Sequence, residues 1–475
     1  MSLEYVREKV ELEVLVEDYG FTGEGYVRLE DGWLSIPGAM PGERVRVELE
    51  EGRRPGARRL FARVLEVVEP SPFRRDPLCE KAAICRGCQL RHLTVAEELS
   101  FKVRAVGEVM EKFTGLSTEQ LPPIEVITHQ PISRGDGFRI RTSLSYRRRG
   151  ESFELGLHSA AHSELIAMNS CPALTGPAQR LVQTVESTLG DLEGLPWDGT
   201  MARDVSEKVD LIQTDLGLDG IRAIAPMHGQ GLVELRLTSC EDEEHFIANL
   251  RRPPFSTLLE GLVAGLPEQV GLAVSSGEFR RHVKEPRRLI VPVDRWRLEV
   301  GYDDWFHATL EPAEALYEAL FGLLELDVEE RFLDVGCGIG TIAVMASKRV
   351  KEVVGIDINR HSIEAAEINA LGNEAENVTF HVGAWERGMR RLAGTGNRFE
   401  VATINPMREP LGRRPLAYLG PLGVNRLVYL GPSPASAAKD IAVLLETGWR
   451  LDYLGAANLH PATYHTMLVA RLHKP

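Results

Sequence analysis

From residue 10 to residue 70, apolar and polar positions alternate with a period of two. Val10-Glu11-Leu12-Glu13-Val14-Leu15-Val16 and Arg44-Val45-Arg46-Val47-Glu48-Leu49 put successive side chains on opposite faces, the pattern of half-buried strands. Gly20, Gly23 and Gly25 mark one turn, and Gly38, Pro41 and Gly42 another. Short strands with such turns predict a small, OB-like β-barrel over residues 1–70, a shape that often holds oligonucleotides on one face. After the linker Glu69-Pro70-Ser71-Pro72, a helix is predicted over Val95 to Phe113. Residues 71–290 otherwise mix short strands, helices and turns, as an α+β unit does. From residue 291 strand and helix alternate. Phe332-Leu333-Asp334-Val335, Val353-Val354-Gly355-Ile356-Asp357, Val378 to Val382 and Val401 to Ile404 read as strands. Thr341 to Lys348 and Ser362 to Leu371 read as helices between them. Repeated βα units predict a doubly wound, Rossmann-like sheet that binds its ligand at the carboxyl ends of the strands. The expected architecture is multidomain α/β, with units at 1–70, 71–290 and 291–475.

Composition places this pattern in a soluble globular protein: 475 residues, 43% hydrophobic and 26% charged. No run approaches the roughly 18 apolar residues of a membrane span. Met1 to Glu8 alternates charge and apolar residues, so a cytoplasmic protein is expected. The net charge of −14 argues against indiscriminate nucleic-acid binding by the whole surface. Arginines are nonetheless clustered, at Arg134, Arg139, Arg141, Arg147, Arg148 and Arg149, and at Arg53, Arg54, Arg58, Arg59, Arg74 and Arg75. Such stripes on an acidic protein fit local phosphate recognition, and they equally fit a solvated strand or turn.

Two segments carry chemistry. Cys79-Glu80-Lys81-Ala82-Ala83-Ile84-Cys85-Arg86-Gly87-Cys88 gathers three of the six cysteines. In a reducing compartment such thiolates point to a metal centre. A fourth ligand is expected from Cys171, with Cys240 the weaker alternative. The spacing is wider than paired Cys-x-x-Cys zinc sites and suits a [4Fe–4S] cluster, while zinc stays open. The second segment is Asp334-Val335-Gly336-Cys337-Gly338-Ile339-Gly340-Thr341. Glycines at alternate positions let backbone approach a ligand, and Asp357 at the end of the next strand suits a ribose. Thr341 replaces the third glycine of a dinucleotide loop, so S-adenosylmethionine (SAM) fits better.

With these residues in view the chain resembles the RNA 5-methyluridine methyltransferases that carry a TRAM domain and an iron–sulfur cluster. Gly38 to Glu43 matches the TRAM signature, and Cys79, Cys85, Cys88 and Cys171 match the cluster ligands. Asp334 to Thr341 matches the SAM loop, and Asn369-Ala370 the pair after the second strand. The resemblance spans essentially the whole chain. It implies SAM bound by Asp334, Gly336, Gly338, Gly340, Asp357 and Asn405, a [4Fe–4S] cluster, and ribosomal or transfer RNA as partner. It also implies a monomer away from membranes, with Arg139, Arg141, Arg147, Arg148 and Arg149 as RNA contacts.

The chain departs from the family where the chemistry lies. Family members add a cysteine thiolate to C6 of uracil and remove the C5 proton with a carboxylate. The aligned residues here are Pro432, in Tyr429-Leu430-Gly431-Pro432-Ser433-Pro434, and Met467, in Pro461-Ala462-Thr463-Tyr464-His465-Thr466-Met467. Asp-Pro-Pro-Arg becomes Asn405-Pro406-Met407-Arg408, and Phe-x-Gln-x-Asn becomes Trp305-Phe306-His307-Ala308-Thr309. Ala384 stands where an acidic residue would meet adenine. Three readings follow: an RNA-binding homologue without C5 methylation; a SAM-dependent enzyme with a changed target such as an exocyclic amine, with His465 or His307 as base; and a uracil methyltransferase with a relocated nucleophile.

Overall fold

The computed structural model describes residues 10–30, 32–49, 59–77, 79–82, 84–85, 87–129, 137–149, 152–158, 165–191, 234–239, 246–251, 263–276, 279–285, 288–301 and 304–475. The N-terminal strands are β1 (Glu11–Leu15), β2 (Asp18–Tyr19), β3 (Gly25–Leu29), β4 (Gly32–Ile36), β5 (Arg44–Leu49) and β6 (Arg59–Glu69). Their order is β1-β5-β6-β4-β3-β2. The two end strands, β1 and β2, are joined by only Val16 and Glu17, so the sheet curls back on itself as a barrel does. Val16, Leu34, Ile36, Val45, Val47 and Ala62 fill it. The alternating strand Arg44–Leu49 buries Val45, Val47 and Leu49 and turns Arg46 outward, as its period requires.

The Gly38–Glu43 segment explains itself locally. Gly38 and Gly42 hold φ of 82° and 80°, a region that favours glycine. Glu43 is fully buried and accepts from Met40 N at 2.9 Å and Ser71 N at 3.1 Å. Arg74 closes the ion pair from the linker side and also donates to Gly38 O at 2.6 Å. Burial pushes the Glu43 carboxyl up, but the Arg74 and backbone hydrogen bonds prevail and hold it below its ordinary range. Arg74 is therefore a structural partner of the barrel rather than part of a free stripe.

Next come α1 (Val95–Thr114) and β7 (Ile124–Ile127). Thr94 caps α1, its hydroxyl accepting from Glu97 N, and Gly115 ends it at φ 73°. A mainly antiparallel sheet follows, with order β10-β9-β8-β11-β12-β13-β14. Its strands are β8 (Arg141–Arg149), β9 (Ser152–His158), β10 (Leu165–Ala167), β11 (Glu234–Ser239), β12 (Phe246–Arg251), β13 (Val270–Ser276) and β14 (Phe279–Lys284), with α2 (Gly176–Asp191) between β10 and β11. A hairpin, β15 (Arg288–Val293) and β16 (Trp296–Gly301), leads out of it.

The last unit runs α3 (Glu311–Leu324), β17 (Arg331–Val335), α4 (Thr341–Ala346), β18 (Glu352–Asp357), α5 (Arg360–Gly372), β19 (Val378–Val382), α6 (Trp385–Gly394), β20 (Val401–Ile404), α7 (Arg413–Leu416), β21 (Arg426–Gly431), α8 (Pro434–Glu446), β22 (Arg450–Ala457) and β23 (Met467–His473). Strand order is β19-β18-β17-β20-β21-β23-β22-β7, and among them only β23 runs antiparallel to its neighbours. The doubly wound expectation holds.

One expectation changes. α1 and β7 fall within residues 71–290, yet they complete the last unit. β7 adds a parallel edge strand to β22, and Val106, Val109 and Met110 of α1 join the core beneath α8 with Ile441 and Leu444. An amphipathic helix settles where the larger apolar face is, whatever its position along the chain. Among the described residues no helix is long and apolar enough to cross a membrane.

Candidate functional site

The carboxyl ends of β17, β18, β20, β21 and β22 converge on one edge of the sheet. β17 ends in Asp334 and Val335, and Gly336 to Gly340 turn into α4. Each glycine has its own reason. A Cβ at Gly336 would lie 2.3 Å from Asn405 O, and one at Gly340 would press on Ala366 and Phe380 at 2.9 Å. Gly338 has φ 54° but meets nothing within 4 Å, so its side faces open space where a ligand can lie. Gly338 N donates to Asp357 Oδ2 at 2.9 Å and Asn359 N to Oδ1 at 2.8 Å. Asn369 braces the loop from α5, giving Nδ2 to Ile339 O at 3.0 Å.

Asp334 lies fully buried behind this loop. Its Oδ1 accepts from Thr403 Oγ1 at 2.7 Å, while Oδ2 has no hydrogen-bond partner. Burial pushes this carboxyl up to about 7, against the Thr403 hydrogen bond, and Asp357 nearby adds repulsion. An orphaned buried carboxylate oxygen next to an open glycine suits the ammonium end of an amino-acid-bearing cofactor such as SAM. Cys337 is buried, and burial raises its thiol well above the ordinary range, so it packs rather than attacks.

Pro432 and Met467 meet at the same edge. Gly431, the last residue of β21, pairs with Leu468 of antiparallel β23, so Pro432 follows the last paired step of one strand and Met467 precedes it on the other. Leu430, Met467 and Val469 share one apolar cluster. Met467 is 4% exposed and no carboxylate stands in its place. Ser433 gives its hydroxyl to Ser436 Oγ at 3.1 Å, and no base touches it.

Where the loop before β23 meets the segment 305–309, joined by Thr309 Oγ1 to Leu459 O, stands a histidine group of which the sequence disclosed only part. His460 and His465 rings lie 5.8 Å apart, Tyr464 tilts over His465 at 4.2 Å, and Trp305 meets His307 edge-on at 4.9 Å. His307 Nε2 is 3.0 Å from Tyr317 Oη. Burial lowers His307 to about 4, His460 to about 3 and His465 to about 4, with Arg139, Arg408 and Lys102 adding repulsion around the last two. Lys102, wholly buried in α1, bonds Glu98 at 2.8 Å, His460 O at 3.1 Å and Asn458 Oδ1. Lys102, Glu98 and Asn458 were not anticipated, because nothing in their sequence surroundings separates them from ordinary helix and strand residues. His460 carried a weak signal, standing directly before the Pro461-x-Thr463-x-His465 stretch.

Cys79, Cys85, Cys88 and Cys171 line one pocket, together with Arg91 and Arg139. All four are free thiols, and Cys240 lies outside the described residues. Burial raises the Cys85 and Cys88 thiols, and the other cysteines add repulsion. Among the described residues no group of three or more His, Cys, Asp or Glu is disposed to hold a metal ion. A tetrahedral zinc site would need four sulfurs about 3.8 Å apart, each about 2.3 Å from the metal. Four cysteines lining one pocket are the donor type of a zinc site or of a four-cysteine cluster alike.

The arginine stripe is not a single surface. Arg141 is 9% exposed, because β8 turns it inward, and it cannot offer a free guanidinium to RNA. Arg139 points to the cysteine loop, giving Nη2 to Gly87 O at 3.2 Å. Arg147, Arg148 and Arg149 lie on β8 opposite Glu154, Phe153 and Ser152, and their side chains are outside the described set. Arg134, Arg53, Arg54 and Arg58 also lie outside the described residues.

Barrel, glycine loop and sheet define a methyltransferase domain joined to a small RNA-binding type of barrel. Comparison with known proteins agrees: a TRAM domain matches residues 5–65 and a methyltransferase domain residues 326–442. An uncharacterised RNA methyltransferase of Caldanaerobacter subterraneus subsp. tengcongensis is 24% identical, over 96% of this chain and 97% of its own. The 23S rRNA (uracil(1939)-C(5))-methyltransferase RlmD of Shewanella sediminis is also 24% identical, over 97% of this chain and 95% of its own. The tRNA (uracil-54, C5)-methyltransferase of Pyrococcus abyssi, solved with S-adenosyl-L-homocysteine, shares the fold. Its TM-score is 0.68 at 19% identity, covering 97% of this chain and all of that one. The chain thus carries a TRAM domain and a methyltransferase domain, in an arrangement similar to RNA uracil-C5 methyltransferases.

Proposed function

We propose that this chain is a SAM-binding, RNA-binding methyltransferase homologue that does not carry out thiolate-dependent C5 methylation of uracil. One observation supports the reading: proline and methionine, at 432 and 467, stand at the aligned positions of nucleophile and base, each one residue from the Gly431–Leu468 pair that ends the β21–β23 ladder. C5 of uracil becomes nucleophilic only after a thiolate adds at C6, and the adduct is released only when a base takes the C5 proton. Proline can do neither the first nor methionine the second. Asp334, Gly336, Gly338, Gly340, Asp357 and Asn405 would hold SAM. Ribosomal or transfer RNA is the proposed partner of a monomeric, cytoplasmic protein, with Arg139, Arg147, Arg148 and Arg149 as contacts. The TRAM unit at 1–70 and the unit at 291–475, completed by α1 and β7, would act together around the residues between them.

The cysteine pocket supports a [4Fe–4S] cluster held by Cys79, Cys85, Cys88 and Cys171. With all four positions filled, such a group supplies structure rather than an open metal site. Anaerobically purified protein should be brown and contain iron; stoichiometric zinc without iron would replace the cluster by zinc. Incubation with methyl-tritiated SAM and total RNA tests the main reading. No label should appear in 5-methyluridine, and its appearance there would overturn the roles given to Pro432 and Met467.

A second reading has its own support. Asn405-Pro406 closes β20, and the Asn405 backbone passes directly beside Gly336. An amide there can polarise an exocyclic amine. Label in an N-methylated base, rather than in 5-methyluridine, would favour it.

A further inference from the structure

Two chain segments wall the cysteine pocket, one around Cys79 to Arg91 and one around Ile166 to Pro172. Each is bonded to a loop at the strand ends. Leu90, two residues beyond Cys88, donates its N–H to Ala462 O at 2.9 Å. Arg139 binds Gly87 O through Nη2, and its own N–H goes to Ala173 O at 2.9 Å, beside the Cys171 turn. The next residue, Ile140, donates to Ala308 O at 2.9 Å.

Ala462 is the telling residue. Its φ is 60°, in the left-handed region that a residue with a Cβ avoids. Such a conformation lasts only where the surroundings over-determine it. Here both its polar groups are taken from outside the loop, the carbonyl by Leu90 and the N–H by Glu98 Oε1 at 2.9 Å. Beneath lies a shared apolar cluster: Tyr19 and Met40 from the barrel, Leu90 and Leu93 from the cysteine segment, Phe101 from α1, and Tyr464 packed against them. The loop so held carries His460, Tyr464 and His465, immediately before β23.

We propose that the group bound by the four cysteines is a brace for the strand-end loop 458–466. With the cysteines drawn around it, Leu90 holds Ala462, and Arg139 ties the cysteine segment to the stretch whose next residue, Ile140, holds the 305–309 segment. Without it the loop relaxes. The inference rests on the reading of the cysteine pocket as a metal centre, and the test separates the two. Iron and zinc are first measured in the full-length, anaerobically purified protein. The metal is then removed with a chelator, and hydrogen–deuterium exchange is compared before and after. Amides of 458–466 should exchange at least tenfold faster, while those of β17 to β20 keep their rates. An Arg139→Gln protein that retains its metal should show a smaller rise, about threefold, in the same peptide. Absence of any bound metal overturns the metal-centre reading and the brace with it. Metal removed with exchange at 458–466 unchanged overturns the brace alone. Should removal unfold the whole protein, Arg139→Gln decides: no rise there overturns the brace.

Discussion

Pro432 and Met467 stand, in the proposed reading, for a nucleophile and a base, and the edge of the sheet at the glycine loop holds other residues whose state can be tested. Asp334 keeps one carboxylate oxygen without a partner beside the glycine that faces open space. Asp334→Asn retains an acceptor for Thr403 but loses the charge. SAM affinity measured by titration calorimetry should fall at least tenfold, about 1.4 kcal/mol, and an unchanged affinity would remove Asp334 from the cofactor site. The histidines predict a pH dependence. His307, His460 and His465 are all lowered from 6.5, so between pH 6.5 and about 4 the unfolded chain takes protons that the folded chain refuses. Their contribution is present above pH 6.5 and lost as pH falls. Asp334, raised to about 7, works in the opposite sense across that window, and Asp357 is raised in the same direction, two groups against three. Melting temperature should therefore fall from pH 6.5 to 5, and less steeply in His460→Gln. Equal slopes would mean that His460 titrates normally.

Among the elements, α1 shows how far local pattern reaches. The helix itself was legible in the sequence over Val95 to Phe113, and it forms over Val95–Thr114 between the Thr94 cap and Gly115. Its partner was not. The helix faces α8 and β7, more than three hundred residues apart in the chain, because burial responds to area and not to sequence distance. The TRAM signature is the converse, a short segment whose role depends on one distant ion pair. Arg74→Ala would leave Glu43 buried and uncompensated, a loss of about 3 kcal/mol. Urea unfolding of the N-terminal unit would detect it, and a loss below about 1 kcal/mol would mean that the pair is dispensable. Because Glu43 is held below its ordinary value of 4.5, the stability from this pair is present above that pH and lost as pH falls below it.

For the molecule as a whole, the boundary between units carries a prediction. Removing residues 1–70 takes away the barrel but leaves α1 and β7, so the large sheet should stay folded. Removing residues 1–127 strips a helix and an edge strand from that sheet, exposing Leu454 and Ala456. The second truncation should be insoluble or lose its cooperative melt by circular dichroism. Equal behaviour of the two would place α1 and β7 outside the core. The barrel, the cysteine segment and the strand-end loop also meet through Tyr19, Leu90, Phe101 and Tyr464, so the functional edge is assembled from all parts of the chain.

The linear order of residues already determined the barrel, the alternating βα run, the glycine loop with its two aspartates, the cysteine quartet and the missing thiol and carboxylate. Each is a local pattern, carried by period, turn chemistry or a motif a few residues long. What waited for the folded chain was everything made by contact between distant segments. Arg139 and Arg141 read as one stripe, yet one turns to the cysteine loop and the other into the core, since Arg139 stands before β8, bridged to Leu174, whereas Arg141 opens the strand. The β21–β23 register, the left-handed Ala462 pinned from two sides, and the pairing of His460 with His465 exist only once the strands have paired.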